Sequence, residues 1–314
     1  MTGRLLIVNA DDYGLTAGVD RGIERAVAAG GVTSVSVLGN LAAPAAVVRL
    51  ATLRPGLSIG AHLNLTTGRP VLPPAAVPSL VGPGGRFHPL GVLTRRVLTG
   101  RVRRVEAAAE LAAQLGRLRR TGVVVDHLDS HEHVHLLPVV MGAVVRLARR
   151  SGVLRLRTHR PRLLPADRAG GAGGLPTYYL RHPRRVLAHA AKRLAAAHFR
   201  RLGLAGPDGM VAPSLLLGAP LAAPLAAWRA IAASLPRGLW ELVVHPADLD
   251  VPRTAEDEAR LGELVARRGA ELETLCDPAF GEALRAHGVT LASFGGTPLG
   301  TGARGEEAHA RRRA

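Results

Sequence analysis

Two adjacent carboxylates, Asp11 and Asp12, follow the apolar run Leu5-Leu6-Ile7-Val8-Asn9-Ala10 and precede Tyr13-Gly14. The run reads as a buried strand that stops at the acids. Successive strand residues face opposite sides, so the two acids are expected to do separate jobs. One can bind a metal while the other handles a proton, and a cation beside them relieves their repulsion. The plainer alternative is a helix cap or a turn, where Asp is also favoured. Histidines supply the remaining groups. His62 lies in the apolar segment Leu57 to Leu65, and His245 closes the segment Leu239 to His245. His131, His133 and His135 alternate after Val123 to Asp129, so a continued strand would place all three on one face.

A divalent cation held by Asp12, His62 and His131 would keep positions open for water and substrate. It would acidify water and polarise a carbonyl. Asp11 is then expected to act as general base, with His245 protonating a leaving amine. This set fits amide hydrolysis. Each residue has a plainer alternative: a core histidine for His62, an adventitious metal site for the histidine cluster, a strand-end turn for His245-Pro246. Cys276 is expected to be a small buried hydrophobe. Tyr178-Tyr179 are expected to pack locally, with sugar stacking as the alternative.

Positioning these groups requires an alternation of strands and helices. Thr16 is placed to cap a helix to about Ala29, with Val19, Ile23, Ala26 and Val27 on one face. Val32 to Leu38 reads as a strand and Pro44 to Leu53 as a helix. After Leu57 to Leu65, helix Val105 to Arg120, strand Val123 to Asp129, helix Pro138 to Arg150 and strand Leu154 to Arg157 continue the pattern. Then follow strand Ser214 to Leu217, helix Leu221 to Leu235, strand Leu239 to His245, helices opened by a Thr254/Asp257 capping box, and strand Val289 to Phe294.

The count of about eight strands predicts an α/β fold, an irregular TIM-like (β/α) barrel, with a doubly wound open sheet as the alternative. In a barrel the strand C-terminal ends share one mouth, where Asp11, Asp12, His62, His131 and His245 would meet. Residues 1–296 are expected to form one domain. Insertions interrupt it at about 67–100, a proline- and glycine-rich excursion of lid type, and at 158–210. The latter includes a flexible link at Gly170 to Gly174 and a basic segment, Arg181 to Arg201, with an apolar stripe of Val186, Leu187 and Leu194. Residues 297–314 are expected to be disordered.

The chain has 314 residues, 47% of them hydrophobic, enough for a sizeable core. Its formal charge is +17, yet Lys192 is the only lysine, and aromatics are 3% of residues. An arginine excess with so few stacking rings reads as codon bias, and no nucleic-acid partner is expected. One cysteine excludes an internal disulfide framework and a thiolate metal cage. No signal-peptide pattern and no bilayer-length apolar run is seen, so a cytoplasmic protein without a membrane span is expected.

The stretches Ile7-Val8-Asn9-Ala10-Asp11-Asp12-Tyr13-Gly14, Val32-Thr33-Ser34, Gly60-Ala61-His62-Leu63-Asn64-Leu65-Thr66 with Gly68-Arg69-Pro70, His127-Leu128-Asp129-Ser130-His131-Glu132-His133-Val134-His135 and Glu241-Leu242-Val243-Val244-His245-Pro246, with the region Glu271 to Leu275, together resemble the YdjC-like carbohydrate deacetylase family. The resemblance runs from about residue 4 to 294. It implies an irregular (β/α) barrel and a metal-dependent hydrolase that removes N-acetyl groups from amino sugars. Carried over by position, it places the metal on Asp12, His62 and His131, the base on Asp11 and a pocket histidine on His245. His133, Arg157 and Asn64 are expected at the substrate. The family's usual ion is magnesium, although two imidazoles suit zinc or another transition metal better. A small carbohydrate substrate and a homodimer are implied. The stretch Arg155 to Pro161 departs from the family's Pro-Arg-Glu-like piece, and Ala247-Asp248 follow His245-Pro246 where a glycine is common. Alternatives are a metal hydrolase of another acylated amine or a phosphoester, or a basic binding protein using its Arg-rich helices. In the last case binding should weaken steeply with salt.

Overall fold

The computed structural model describes residues 3–158, 160, 183–211, 225–261 and 265–299. Among these, seven parallel strands form one curled sheet in the order β4-β3-β2-β1-β6-β5, with β7 beside the first half of β1. The strands are β1 (Arg4–Tyr13), β2 (Ser34–Val37), β3 (Ser58–Leu63), β4 (His127–Ser130), β5 (Gly209–Val211), β6 (Gly238–Val244) and β7 (Val289–Leu291). The helices are α1 (Ala17–Ala28), α2 (Pro44–Thr52), α3 (Leu90–Leu98), α4 (Arg104–Arg119), α5 (Pro138–Ser151), α6 (Pro183–Arg201), α7 (Leu225–Ser234), α8 (Ala255–Leu261), α9 (Val265–Cys276) and α10 (Pro278–Ala286). The curled sheet with its surrounding helices makes a half-barrel, of the α/β class expected from the alternation as an irregular (β/α) barrel. Isolated parallel bridges, Leu128 to Leu156 and Arg155 to Ala205, carry pairing from β4 toward the β5 side of the sheet. Leu154 to Arg157, expected as a full strand, therefore contributes only bridges. The expected strand Ser214 to Leu217, the Gly170 to Gly174 link, Tyr178-Tyr179 and nearly all of the expected disordered tail lie outside the described residues.

Local signals explain the elements. Thr16 Oγ1 accepts from the Val19 amide and starts α1, whose Val19, Ile23, Ala26 and Val27 are buried. Thr254 and Asp257 exchange reciprocal bonds of 3.0 and 3.1 Å at the start of α8, the capping box read from the sequence. Asp277 caps α10 ahead of Pro278.

Alternation along β1 divides the core. Leu6, Val8 and Ala10 join the main cluster, which includes Val19, Ile23, Val47 and Leu111. Leu5 and Ile7 pack on the other face with Leu239, Ala292 and Phe294. Gly60 of β3 is required for packing. A Cβ there would overlap the ring of buried His127, which stacks on Phe294 at 3.8 Å between centroids.

The 67–100 excursion is more built than a bare lid. It carries two 3₁₀ turns and α3, and it buries Val77, Leu80, Phe87 and Leu93. Three α4 side chains one turn apart pin it and the residue that leads into it. Glu106 accepts from Ser79 N, Glu110 from Val71 N and Leu72 N, and Gln114 bonds both backbone groups of Asn64. In the basic segment, the side chains of Val186 and Leu187 in the expected stripe lie outside the described residues, and Leu194 departs from it. Leu194 is 72% exposed, whereas Ala195, Ala196 and Phe199 are buried.

Candidate active site

The acids do not end β1, which runs on to Tyr13. Asn9 and Asp11 continue the face of Leu5 and Ile7. Asp12 would point the opposite way, but the register with β2 shifts between Ala10 and Tyr13, and Asp12 adopts φ 76°. This bulge re-aims a side chain at a strand end. A non-glycine residue at that φ costs about 1–3 kcal/mol. Both acids therefore meet at one place, contrary to the separation expected from strict alternation. His62 Nε2 lies 3.4 Å from Asp12 Oδ1 and 4.0 Å from Asp11 Oδ2.

His62 is set by its neighbour across the sheet. It pairs in register with Asp129 of β4, whose Oδ1 is 2.8 Å from His62 Nδ1. A carboxylate on one ring nitrogen fixes the tautomer that presents the other. His131 follows β4 directly, with Nδ1 2.8 Å from Asp12 Oδ1. The three histidines after β4 do not share a face. Residues His131–Leu136 form a 3₁₀ turn in which Glu132 (φ 49°) and His133 (φ 58°) are left-handed. Of the three, His131 meets Asp12. His135 is buried with Nδ1 on Ser130 Oγ at 2.5 Å. His133 is half-buried, and burial, reinforced by Lys192 and His135, pushes its pKa well below the ordinary imidazole value.

Arg157 and Asn64, expected at the substrate, are both fully buried. Arg157 has no exposed side-chain surface. Nη1 donates to Asp11 Oδ2 at 2.6 Å and Nη2 to Asp11 Oδ1 at 2.6 Å, Nη2 is 2.8 Å from Asp129 Oδ2, and Nε reaches Glu241 Oε1 at 2.7 Å. It underpins the site rather than lining it. Asn64 bonds Asn40, Thr66 and Thr67 and so shapes the turn after β3. Asn9 donates to Asp11 Oδ1 at 2.7 Å and to Ser36 Oγ, which in turn donates to Asp129 Oδ2. His245, just past β6, points Nε2 toward Asp11 Oδ2 at 3.9 Å, and its side chain is 26% exposed. Burial lowers its pKa despite Asp12 and Asp11 nearby.

Four residues in this arrangement were not singled out by sequence reasoning. Asp129 and Glu241 had a signal, since each is a carboxylate inside a strand with buried neighbours. Glu271 lay in the matching region Glu271 to Leu275 without a role assigned to it, and Arg268 had no signal, because one arginine is inconspicuous in so Arg-rich a chain. Arg268 Nη2 donates to Asp12 Oδ2 at 2.8 Å, and Glu271 accepts from the His245 amide at 2.5 Å.

Charge decides what the cluster can hold. Burial pushes Asp12 up, but His131, His62 and Arg268 outweigh it and hold the carboxyl well below its usual range. Burial pushes His62 down, yet Asp129, Asp11 and Asp12 carry it up to about 10. Burial lifts Glu241 to about 7 even against Arg157. Carboxylates thus outnumber fixed cations. Donor atoms of Asp12, His62 and His131 all lie within 4.8 Å of one another, a carboxylate and two imidazoles suited to one divalent ion. Asp11, His62 and Asp129 form a second such group, but Arg157 already bonds both of its carboxylates.

Comparison with known proteins gives the family and the fold. The family model described as YdjC-like protein matches residues 5–286. The chain belongs to the YdjC-like family. A carbohydrate deacetylase of Geobacillus stearothermophilus is 43% identical over 164 residues, 52% of this chain and 64% of that protein. A carbohydrate deacetylase of Homo sapiens is 38% identical over 211 residues, 66% of this chain and 62% of that protein. The chain thus spans somewhat under two thirds of these relatives' length. A solved protein of Enterococcus faecalis V583, described in terms of cellobiose-phosphate cleavage, shares the fold with a TM-score of 0.70 at 24% identity, covering 95% of this chain and 100% of that one. Among the described residues no helix is long and apolar enough to cross a membrane.

Proposed function

We propose that this YdjC-like protein is a metal-dependent deacetylase that hydrolyses the N-acetyl group of an amino sugar or of an N-acetylglucosamine-containing oligosaccharide. The observation that carries the reading is the meeting of Asp12, His62 and His131, from three strand ends, beside a second carboxylate clamped by Arg157. The carbohydrate deacetylases among its relatives support the substrate class.

Asp12, His62 and His131 would hold the ion. When bound there, a divalent cation acidifies a water and polarises the acetyl carbonyl. Asp11 takes a proton from the attacking water at Oδ2, the oxygen nearest His62 and His245. Arg157 and Asn9 keep that carboxylate from rotating. His245, neutral because of its burial, relays the proton to the amine nitrogen as the C–N bond breaks. Acetate and the free amino sugar leave. Two imidazoles favour zinc or another transition ion over magnesium. Cytoplasmic location and a homodimer belong to the same reading.

The test is acetate release from a panel of N-acetylated mono- and oligosaccharides, before and after chelation and with single ions restored. Release that needs an ion supports the reading. Full release from chelated protein, or none from any acetylated sugar with any ion, refutes it.

A further inference from the structure

Asp12 has two oxygens, and they have different neighbours. Oδ1 faces His62 Nε2 and His131 Nδ1 at 3.4 and 2.8 Å. Oδ2 accepts from Arg268 Nη2 at 2.8 Å. Arg268 is 4% exposed, and its Nε and Nη1 are buried without a hydrogen-bond partner among the described residues. Buried donors left unpaired are costly, so the bond to Asp12 is what this side chain has to show for its burial. The backbone beneath it is anchored. Arg268 O accepts from Ala247 N, Leu272 and Leu275 of the same helix are buried, and Glu271 one turn on accepts from His245 N. Helix α9 thus joins Asp12 on β1 to His245 after β6.

We propose that Arg268 is a positioning residue for the metal site, occupying Oδ2 so that Asp12 offers a single oxygen to the ion. The inference rests on the metal reading above. A carboxylate free at both oxygens can chelate an ion and fill a position that water or the acetyl oxygen needs. A guanidinium on Oδ2 prevents this. Its charge also opposes the incoming cation, so the ion is held less tightly than the donor set alone would hold it.

The experiment titrates the chelated full-length protein with cobalt(II), following heat by calorimetry and the visible d–d bands. Their intensity falls as coordination number rises. In Arg268→Met, Oδ2 is released. Cobalt should bind roughly tenfold tighter or more, from loss of the opposing charge, with weakened bands. Arg268→Lys keeps a charged donor and should return affinity to within about threefold of the original with the original bands. Arg268→Gln, which covers the case in which the methionine variant does not fold, keeps a neutral donor on Oδ2 and should bind tighter with unchanged bands. Bands unchanged in a folded Arg268→Met, affinity unchanged in both Arg268→Met and Arg268→Gln, or weaker binding in either, overturns the positioning role. Failure of the unsubstituted protein to bind cobalt overturns the metal reading itself and this inference with it.

Discussion

Replacing Arg157 by Met tests the electrostatic logic of the site most directly. Methionine keeps an unbranched stem of similar path but removes a guanidinium bonded to Asp11, Asp129 and Glu241, all buried. Removing one partner of a buried ion pair costs about 3–5 kcal/mol, because the other charge stays behind uncompensated. Total stability of a domain is about 5–15 kcal/mol, so the variant should fold but be severely weakened. The loss should depend on pH. Burial alone would raise Asp129, yet Arg157 and His62 hold its carboxyl below the ordinary range. Its contribution is therefore present above the unfolded-state value near 4 and is lost only as pH falls through the lower folded value. Without Arg157, only His62 and His127 oppose burial at Asp129, so its pKa rises toward or past the unfolded value. Glu241, already at about 7, rises further. The penalty must then grow as pH increases. Urea unfolding of chelated protein should show a loss of about 3–5 kcal/mol at pH 8 and less than about half of that at pH 5. A loss under about 1 kcal/mol at pH 8, or an equal loss at both pH values, would refute the reasoning.

Other expectations follow from single contacts. Asp11→Asn should leave metal binding intact and lower acetate release by about 10²–10⁴-fold, the usual worth of a general base; full turnover would remove Asp11 from that role. Asp129→Ala frees His62 Nδ1 and should weaken metal affinity by about 10–100-fold in a calorimetric titration; unchanged affinity would show that the Asp129 bond does not orient the ring. Glu110→Ala removes the acceptor of the Val71 and Leu72 amides, at about 1–3 kcal/mol for each group left unsatisfied. Hydrogen exchange should speed up at those two amides and not at Ser79, which bonds Glu106.

The chain's local signals were legible wherever a residue's task depends on near neighbours in sequence. The Thr16 cap, the Thr254/Asp257 box and the apolar face of α1 are of this kind. Asp12, His62, His131 and His245 were legible because each lies near or just past the C-terminal end of an apolar strand, and those ends converge in a curled parallel sheet. Cys276, expected to be buried, is only half-buried, and that partial burial pushes its thiol up. Expectations failed where backbone departs from its regular period. The bulge at Asp12 and the left-handed turn at Glu132-His133 broke the two alternation arguments, since period two holds only while strand geometry lasts.

Sequence by itself determined the alternation of strands and helices and the identity of the candidate ligands, because side-chain type and hydrophobic period are local properties; it did not foresee the strand Gly209–Val211 or the helix Leu90–Leu98. Only the tertiary structure decided which charges face one another. Arg157 is 146 residues from Asp11, and Arg268 is 256 from Asp12. No local pattern distinguishes those two arginines from the many others. Their burial against carboxylates makes them part of the site, and that burial exists only once the sheet has curled and α9 has packed across it.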